Sequence, residues 1–267
     1  MLIDSHMHLF PDSLAKCALP YLSEVSGSSY CTDGTLNGTL DAMAAWEVNY
    51  GVILHIATKD SHQKQINAFA KKIQDENQNL LCFGTVYPQS DSAIEELYHI
   101  KEAGLHGIKL HPDYQNFFFK DEQYFPIYET IAKLGLPLTI HAGWDPASPD
   151  IVHAPSADIA VVAKAFPDLT IIGAHMGGLG DPDEAEKHLA GLPNVYFDTA
   201  LSSLFLKPAQ YERLIRRLGI DRILFATDCP WSTVPIELGL LHQTGLTSDE
   251  LDLITYQNAC KLFHLKA

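Results

Sequence analysis

Two histidines stand two apart near the start of the chain, in Asp4-Ser5-His6-Met7-His8. On a β-strand, side chains two apart point to the same side, so both imidazoles can reach one ion. Further ionisable groups interrupt apolar runs downstream. They are Lys109 and His111 in Lys109-Leu110-His111-Pro112, His141 in Thr139-Ile140-His141-Ala142-Gly143, and His175 in Gly173-Ala174-His175-Met176-Gly177-Gly178. Asp198 follows in Phe197-Asp198-Thr199, and Asp228 in Phe225-Ala226-Thr227-Asp228-Cys229-Pro230-Trp231. Burying so many polar groups together is costly unless they pair or bind a metal. His141 and Asp228 can complete a shell begun by His6 and His8. Three neutral imidazoles and one carboxylate suit one Zn²⁺, and also accept Mn²⁺, Fe²⁺ or Co²⁺. Asp4 shares a strand side with His6 and is a candidate to orient it. Asp198 reads equally as a binding group and as a capping or hydrogen-bonding one. Cys229 faces away from its neighbour Asp228 and reads as core, not nucleophile. His55, His62, His99, His106, His153, His188, His242 and His264 share no such pattern and read as surface or helix residues.

The elements that position these groups are strands and helices in alternation. Runs rich in Val, Ile and Leu predict strands near Leu2–His6, Gly51–Ala57, Leu80–Tyr87, Gly107–His111, Leu136–His141, Leu169–His175, Asn194–Thr199 and Arg222–Thr227. Most are continuous rather than alternating, as strands buried on both faces are. Between them, Ile66, Phe69, Ala70 and Ile73 make one helical stripe, and Tyr211, Leu214, Ile215 and Leu218 another. Ser92 with Glu95, and Thr247 with Glu250, have capping-box spacing. Gly104, Gly135 and Gly219 stand where helices should stop. Eight strands alternating with helices predict an α/β fold, a distorted (β/α)8 TIM-type barrel forming a single domain over residues 1–267. In such a barrel all the strand C-termini meet at one mouth. An open doubly wound sheet is disfavoured, because nothing like GxGxxG follows the first strand. Residues 9–38 form one long gap, too long for an ordinary βα loop, and are equally a candidate lid or a surface excursion.

Composition narrows the function further. Of 267 residues, 46% are hydrophobic, enough for a large core, which excludes a disordered chain. With 18 Lys and Arg against 33 Asp and Glu, the formal charge is −15, which repels nucleic acid and anionic membranes. No apolar run approaches the roughly 18 residues of a membrane span, and the polar N-terminus is unlike a signal peptide, so a cytoplasmic protein is expected. Five scattered cysteines form neither a disulfide framework nor a CxxC pair.

Taken together, HxH on the first strand, GIKLHP on the fourth, IHAG on the fifth, GAHMGG on the sixth and FATDCPW on the eighth resemble the amidohydrolase superfamily. More narrowly, they resemble its amidohydrolase-related branch, which includes aminocarboxymuconate-semialdehyde decarboxylase-type enzymes. The resemblance spans nearly the whole chain. It implies a metal-bearing distorted barrel with His6, His8 and His141 as ligands. It further implies Asp228 as a ligand or near-ligand that handles the reaction proton, and His175 as a catalytic or supporting histidine. In some superfamily members a fourth-strand lysine is carboxylated and bridges two metals. In the branch resembled here one metal is usual, so Lys109 is expected unmodified.

The expected function is a metal-dependent hydrolase of a small amide, lactone or ester, acting through a metal-activated water. Asp228 would accept the water proton and His175 would steady the oxyanion. Lys109, His111, Trp144 and Trp231 would hold the substrate. A hydrolase needs only a shallow mouth, whereas a decarboxylase gains from a covered one. The alternative on the same ligands is a metal-dependent non-oxidative decarboxylase of a small carboxylic acid. A second alternative is a non-catalytic metal-binding barrel. The expected partner is a small molecule, and a homodimer is compatible with the sequence.

Overall fold

All eight apolar runs form strands in the computed structural model, which describes residues 1–266. They are β1 (Ile3–Met7), β2 (Tyr50–Leu54), β3 (Leu80–Gly84), β4 (Gly107–Leu110), β5 (Leu138–Ile140), β6 (Ile171–Gly173), β7 (Val195–Asp198) and β8 (Ile223–Leu224). They pair in parallel in sequence order. The ring closes between first and last: Ser5 N donates to Phe225 O at 2.8 Å, Asp228 N to His6 O at 2.9 Å, and His8 N to Cys229 O at 2.6 Å. With helices between the strands, this is a (β/α)8 TIM barrel.

The last strand is shorter than Arg222–Thr227 because its backbone donors leave the ladder. Phe225 N donates to Ile254 O at 2.9 Å. Ala226 N donates to Thr199 Oγ1 at 2.8 Å and Thr227 N to Asp4 Oδ1 at 3.0 Å. Asp4 also accepts from Thr227 Oγ1 at 2.5 Å and from the His6 backbone N–H at 3.2 Å. It therefore ties β1 to the chain after β8 and does not touch the His6 ring. Burial pushes the Asp4 carboxyl up to about 7.

Helices flank the barrel as the stripes predict. Tyr211, Leu214, Ile215 and Leu218 are all buried on helix Pro208–Leu218. The Thr247–Glu250 capping box forms. The Ser92 box does not: the Ser92 hydroxyl accepts from Gln63 Nε2 at 2.9 Å instead. Gly135 ends its helix in the left-handed region, φ 63. Inside the barrel floor, Ile3, Val52, Leu81, Phe83 and Leu224 pack on Phe263 of the last helix, Asn258–Phe263.

Residues 9–38 are not a loop. They contain α1 (Asp12–Ser26), which buries Ala15 and Leu19. Pro20 lies inside it, and an internal proline reads in sequence as a helix breaker. Burial of one face outweighs that local penalty here.

Candidate metal centre and substrate pocket

His6 lies on β1 and His8 just beyond it, and each ring is fixed by its outer nitrogen. His6 Nδ1 lies 2.8 Å from Asp198 Oδ2 at the end of β7. His8 Nδ1 lies 2.8 Å from Leu54 O at the end of β2. A carbonyl and a carboxylate accept, so both rings carry their proton on Nδ1 and keep a lone pair on Nε2. Those two Nε2 atoms are 3.1 Å apart. Asp228 Oδ1 lies 3.3 Å from the first and 3.1 Å from the second. It is buried without a hydrogen-bond partner. Three lone-pair atoms pressed together repel unless a cation lies among them. The donor set therefore fits a divalent ion.

Two more imidazoles border this triad. His175 Nδ1 donates to Ala200 O at 3.1 Å, and His141 Nε2 faces Trp144 O at 3.3 Å. Their inner nitrogens, His175 Nε2 and His141 Nδ1, meet at 3.2 Å. Ligand atoms of His6, His175 and Asp228 lie within 4.8 Å of one another, and so do those of His111, His141 and Asp145. The structure thus brings His6, His8 and Asp228 together, sets His175 beside them, and places His141 between the two groups.

Both His175 and Asp228 have left-handed backbones, φ 55 and φ 66. Such conformations cost about 1–3 kcal/mol each and persist where surrounding bonds impose them. The His175 N–H donates to Asp198 Oδ1 at 2.9 Å, and Trp231 N donates to Asp228 O at 2.7 Å. Asp198 thus positions His6 and His175 together. Burial pushes its carboxyl up, while the His175 charge and N–H, the Lys109 charge and the Ala200 N–H favour the anion.

Burial holds His6, His111 and His141 well below the usual histidine range, so these rings are neutral donors. Burial alone would raise the Asp228 carboxyl, but the adjoining His6 and His8 outweigh it and hold it at about 2. Lys109 alternates along β4 with Ile108 and Leu110, which pack outward, so it faces the barrel interior. It is fully buried, its Nζ has no partner, and burial brings its ammonium down to about 8.

A cavity of about 490 Å³ opens above these groups. Lys109, His111, Trp144 and Trp231 all line it. His111 is stacked between Tyr114 (3.8 Å between ring centroids, 3°) and His141 (4.2 Å, 9°). The Trp144 loop is placed by Gly143, φ 91, where a Cβ would come 2.2 Å from Leu179 N. The next loop residue, Asp145, lies 3.5 Å from His141 Nε2 and 3.6 Å from His111 Nε2, and burial pushes its carboxyl up to about 7.

Several pocket residues escape the sequence reading. His55 is buried, lines the cavity, and lies 3.1 Å through Nδ1 from Phe83 O. It follows β2 as the other site residues follow their strands, so the same strand-end signal could have found it. His153 is also buried, 2.9 Å from Asp113. Asp145 and the α1 side chains carry no comparable signal.

The chain belongs to the amidohydrolase family, whose model matches residues 3–265. Among solved structures it is similar to 5-carboxyvanillate decarboxylase from Sphingomonas paucimobilis: TM-score 0.76, 16% identity, 99% of each chain covered. It is also similar to 2,6-dihydroxybenzoate decarboxylase from Rhizobium: TM-score 0.73, 19% identity, 100% of this chain and 98% of that one. A third is a dihydroxybenzoic acid decarboxylase from a Polaromonas species with bound manganese and the inhibitor 2-nitroresorcinol: TM-score 0.73, 17% identity, 100% and 98% covered. Comparison with curated proteins gives no match.

These neighbours overturn the expectation of a hydrolase acting on an amide, lactone or ester. All three are decarboxylases. A walled cavity of about 490 Å³ also departs from the shallow mouth expected of a hydrolase. Phe10, Leu14, Tyr21 and Leu22, in and beside α1, wall one side of the cavity. Among the described residues, no helix is long and apolar enough to cross a membrane.

Proposed function

We propose that the chain is a metal-dependent non-oxidative decarboxylase of a small carboxylic acid. The observation that carries this reading is the converging triad of His6 Nε2, His8 Nε2 and Asp228 Oδ1 beneath a largely apolar pocket. The decarboxylase neighbours, one of them with manganese, support it.

His6, His8, His141 and Asp228 would hold one divalent ion, zinc by donor type, with manganese accepted by the same set. Bound there, the ion supplies positive charge to orient the substrate carboxylate and a neighbouring substrate oxygen. Lys109 Nζ offers a second, partnerless cation to the same anion. His175 Nε2, with Nδ1 fixed on Ala200 O, faces this space and delivers a proton to the carbon that bears the carboxylate. The C–C bond then breaks, its electron pair restores the unsaturated system that took up the proton, and CO2 leaves. The apolar α1 side chains Leu14, Ala18 and Leu22 line the cavity in which that carbon is protonated.

The test is a panel of aromatic and enoic acids given to the zinc- or manganese-loaded protein in deuterated water. The reading requires CO2 release with one solvent deuterium at the vacated carbon, and loss of turnover in Asp228→Asn with the fold intact. Activity confined to amides, esters or lactones, with ¹⁸O from labelled water entering the product acid, would overturn it.

A further inference from the structure

The cavity is divided sharply by chemistry. Its floor carries the histidines, Asp228 and Lys109. Its upper walls are largely apolar and come from three segments, one of which, with Thr58, His62, Ile66 and Phe69, leads into the helix Gln63–Glu76. On one side, Leu14, Ala18 and Leu22 repeat every four residues along α1, so they share one face. On the other, Leu201, Leu204 and Phe205 belong to and precede the short helix Ser202–Phe205. Several of these side chains are left open at the mouth: Leu14 is 46% exposed, Leu204 61% and Phe205 42%. A volume of about 490 Å³ lies within the range of roughly 300–1,000 Å³ that encloses a drug-sized ligand. A one-ring acid seated on the floor leaves the space between the apolar walls empty.

The charges in the cavity are as selective as its shape. No arginine lines it, and Lys109 is its only lysine. That ammonium lies at the bottom, fully buried, with no protein partner. The carboxylates Asp145 and Asp228 also line the site. A ligand with one anionic end can satisfy Lys109. A second anion placed between α1 and the Ser202–Phe205 helix would be desolvated with no lysine or arginine of the lining beside it.

We infer that the substrate is an extended aromatic monocarboxylic acid. Its acidic head and an adjacent oxygen sit on the floor beside Lys109, and an uncharged apolar group at the far end lies between α1 and the Ser202–Phe205 helix. This rests on the decarboxylase reading for the head group and adds the shape and charge of the remainder.

The test compares three probes by calorimetry on the zinc-loaded protein: salicylate, 4-phenylsalicylate, and 4-(4-carboxyphenyl)salicylate. The second ring should tighten binding by on the order of tenfold to a hundredfold, as burial of that much apolar surface implies. The added distal carboxylate should cancel most of that gain. Leu14→Ser and Phe205→Ser both lie at the open mouth and should fold normally. Each should narrow the ratio between 4-phenylsalicylate and salicylate and leave salicylate binding unchanged. Equal binding of salicylate and 4-phenylsalicylate, or tightest binding by the diacid, would overturn the inference. Tight binding of 4-phenylsalicylate with no CO2 released from any acid would sink the decarboxylase reading and support the pocket assignment. CO2 release from one-ring acids, with no preference for the longer one, would do the reverse.

Discussion

The mouth of the barrel holds two histidine groups built from the same residue types, and they are wired differently. In the first, His6 and His8 spend their outer nitrogens on Asp198 and Leu54 O, which leaves both inner nitrogens and Asp228 Oδ1 facing one another. In the second, His111 and His141 stack face to face, with Tyr114 on the far side, and Asp145 lies beside both rings. There both Nε2 atoms face Asp145 Oδ2, at 3.6 Å from His111 and 3.5 Å from His141, but His141 Nε2 also faces Trp144 O at 3.3 Å. The first group has free lone pairs of the kind a cation would take, whereas in the second one ring nitrogen already faces a backbone carbonyl and the stack exposes a flat aromatic face. A cluster of histidines and carboxylates is therefore not in itself a metal site. What each outer nitrogen is bonded to decides which lone pairs are free.

The largest expected effect tests this contrast directly. His6→Ala with His8→Ala should abolish metal binding, and His111→Ala should leave it near one ion per chain, read by elemental analysis. His141→Ala should lose metal, whereas His175→Ala should keep it and lose turnover. Full occupancy in the His6, His8 double variant would break the comparison. A ratio near two in the parent protein, with added mass on Lys109, would show that the second group also binds.

Next in size is the carboxylate behind the first group. Asp198→Asn keeps the volume but can no longer accept from His6 Nδ1 as an anion. Loss of such a support typically weakens metal affinity by about 10–100-fold. A competition titration with a chromophoric chelator measures this, and an unchanged affinity would show that Asp198 serves only the backbone of His175 and Ala200.

The smallest effect concerns His55, buried outside both groups. Burial lowers its imidazole to about 4. The folded state therefore resists protonation, while the unfolded chain takes up a proton below its usual value of about 6.5. Stability contributed by the neutral ring is complete above about pH 6.5 and is lost as pH falls toward 4. Between pH 7 and 5 this is worth about 2 kcal/mol in metal-free protein. Other buried groups titrate in the same window, Asp4 and Asp145 in the opposite sense, so the useful quantity is a difference. Urea unfolding at the two pH values should show that His55→Gln loses about 2 kcal/mol less than the parent on acidification. Equal losses would place His55 in contact with water.

The order of elements was legible in the sequence because parallel strands buried on both faces need unbroken apolar runs. The polar residues that interrupt those runs marked the mouth for the same reason: a polar residue is stable at such a position only where the strand opens onto a site. Strand-end position identified His6, His8, Lys109, His141, His175, Asp198 and Asp228, and all of them surround the same cavity floor. α1 escaped because Pro20 and the serine-rich flanks argue locally against a helix, and only packing against the barrel supplies the compensating burial.

The sequence by itself therefore determined the barrel, its alternation and most of the ionisable groups at its mouth, since each follows from local pattern. Tertiary structure alone decided which lone pairs point inward, because a ring's free nitrogen depends on a partner tens to hundreds of residues away, as Leu54 is for His8 and Asp198 for His6. It also decided that α1 and the Ser202–Phe205 helix line the cavity above its floor. No window of sequence shows which surfaces will face each other across a cavity.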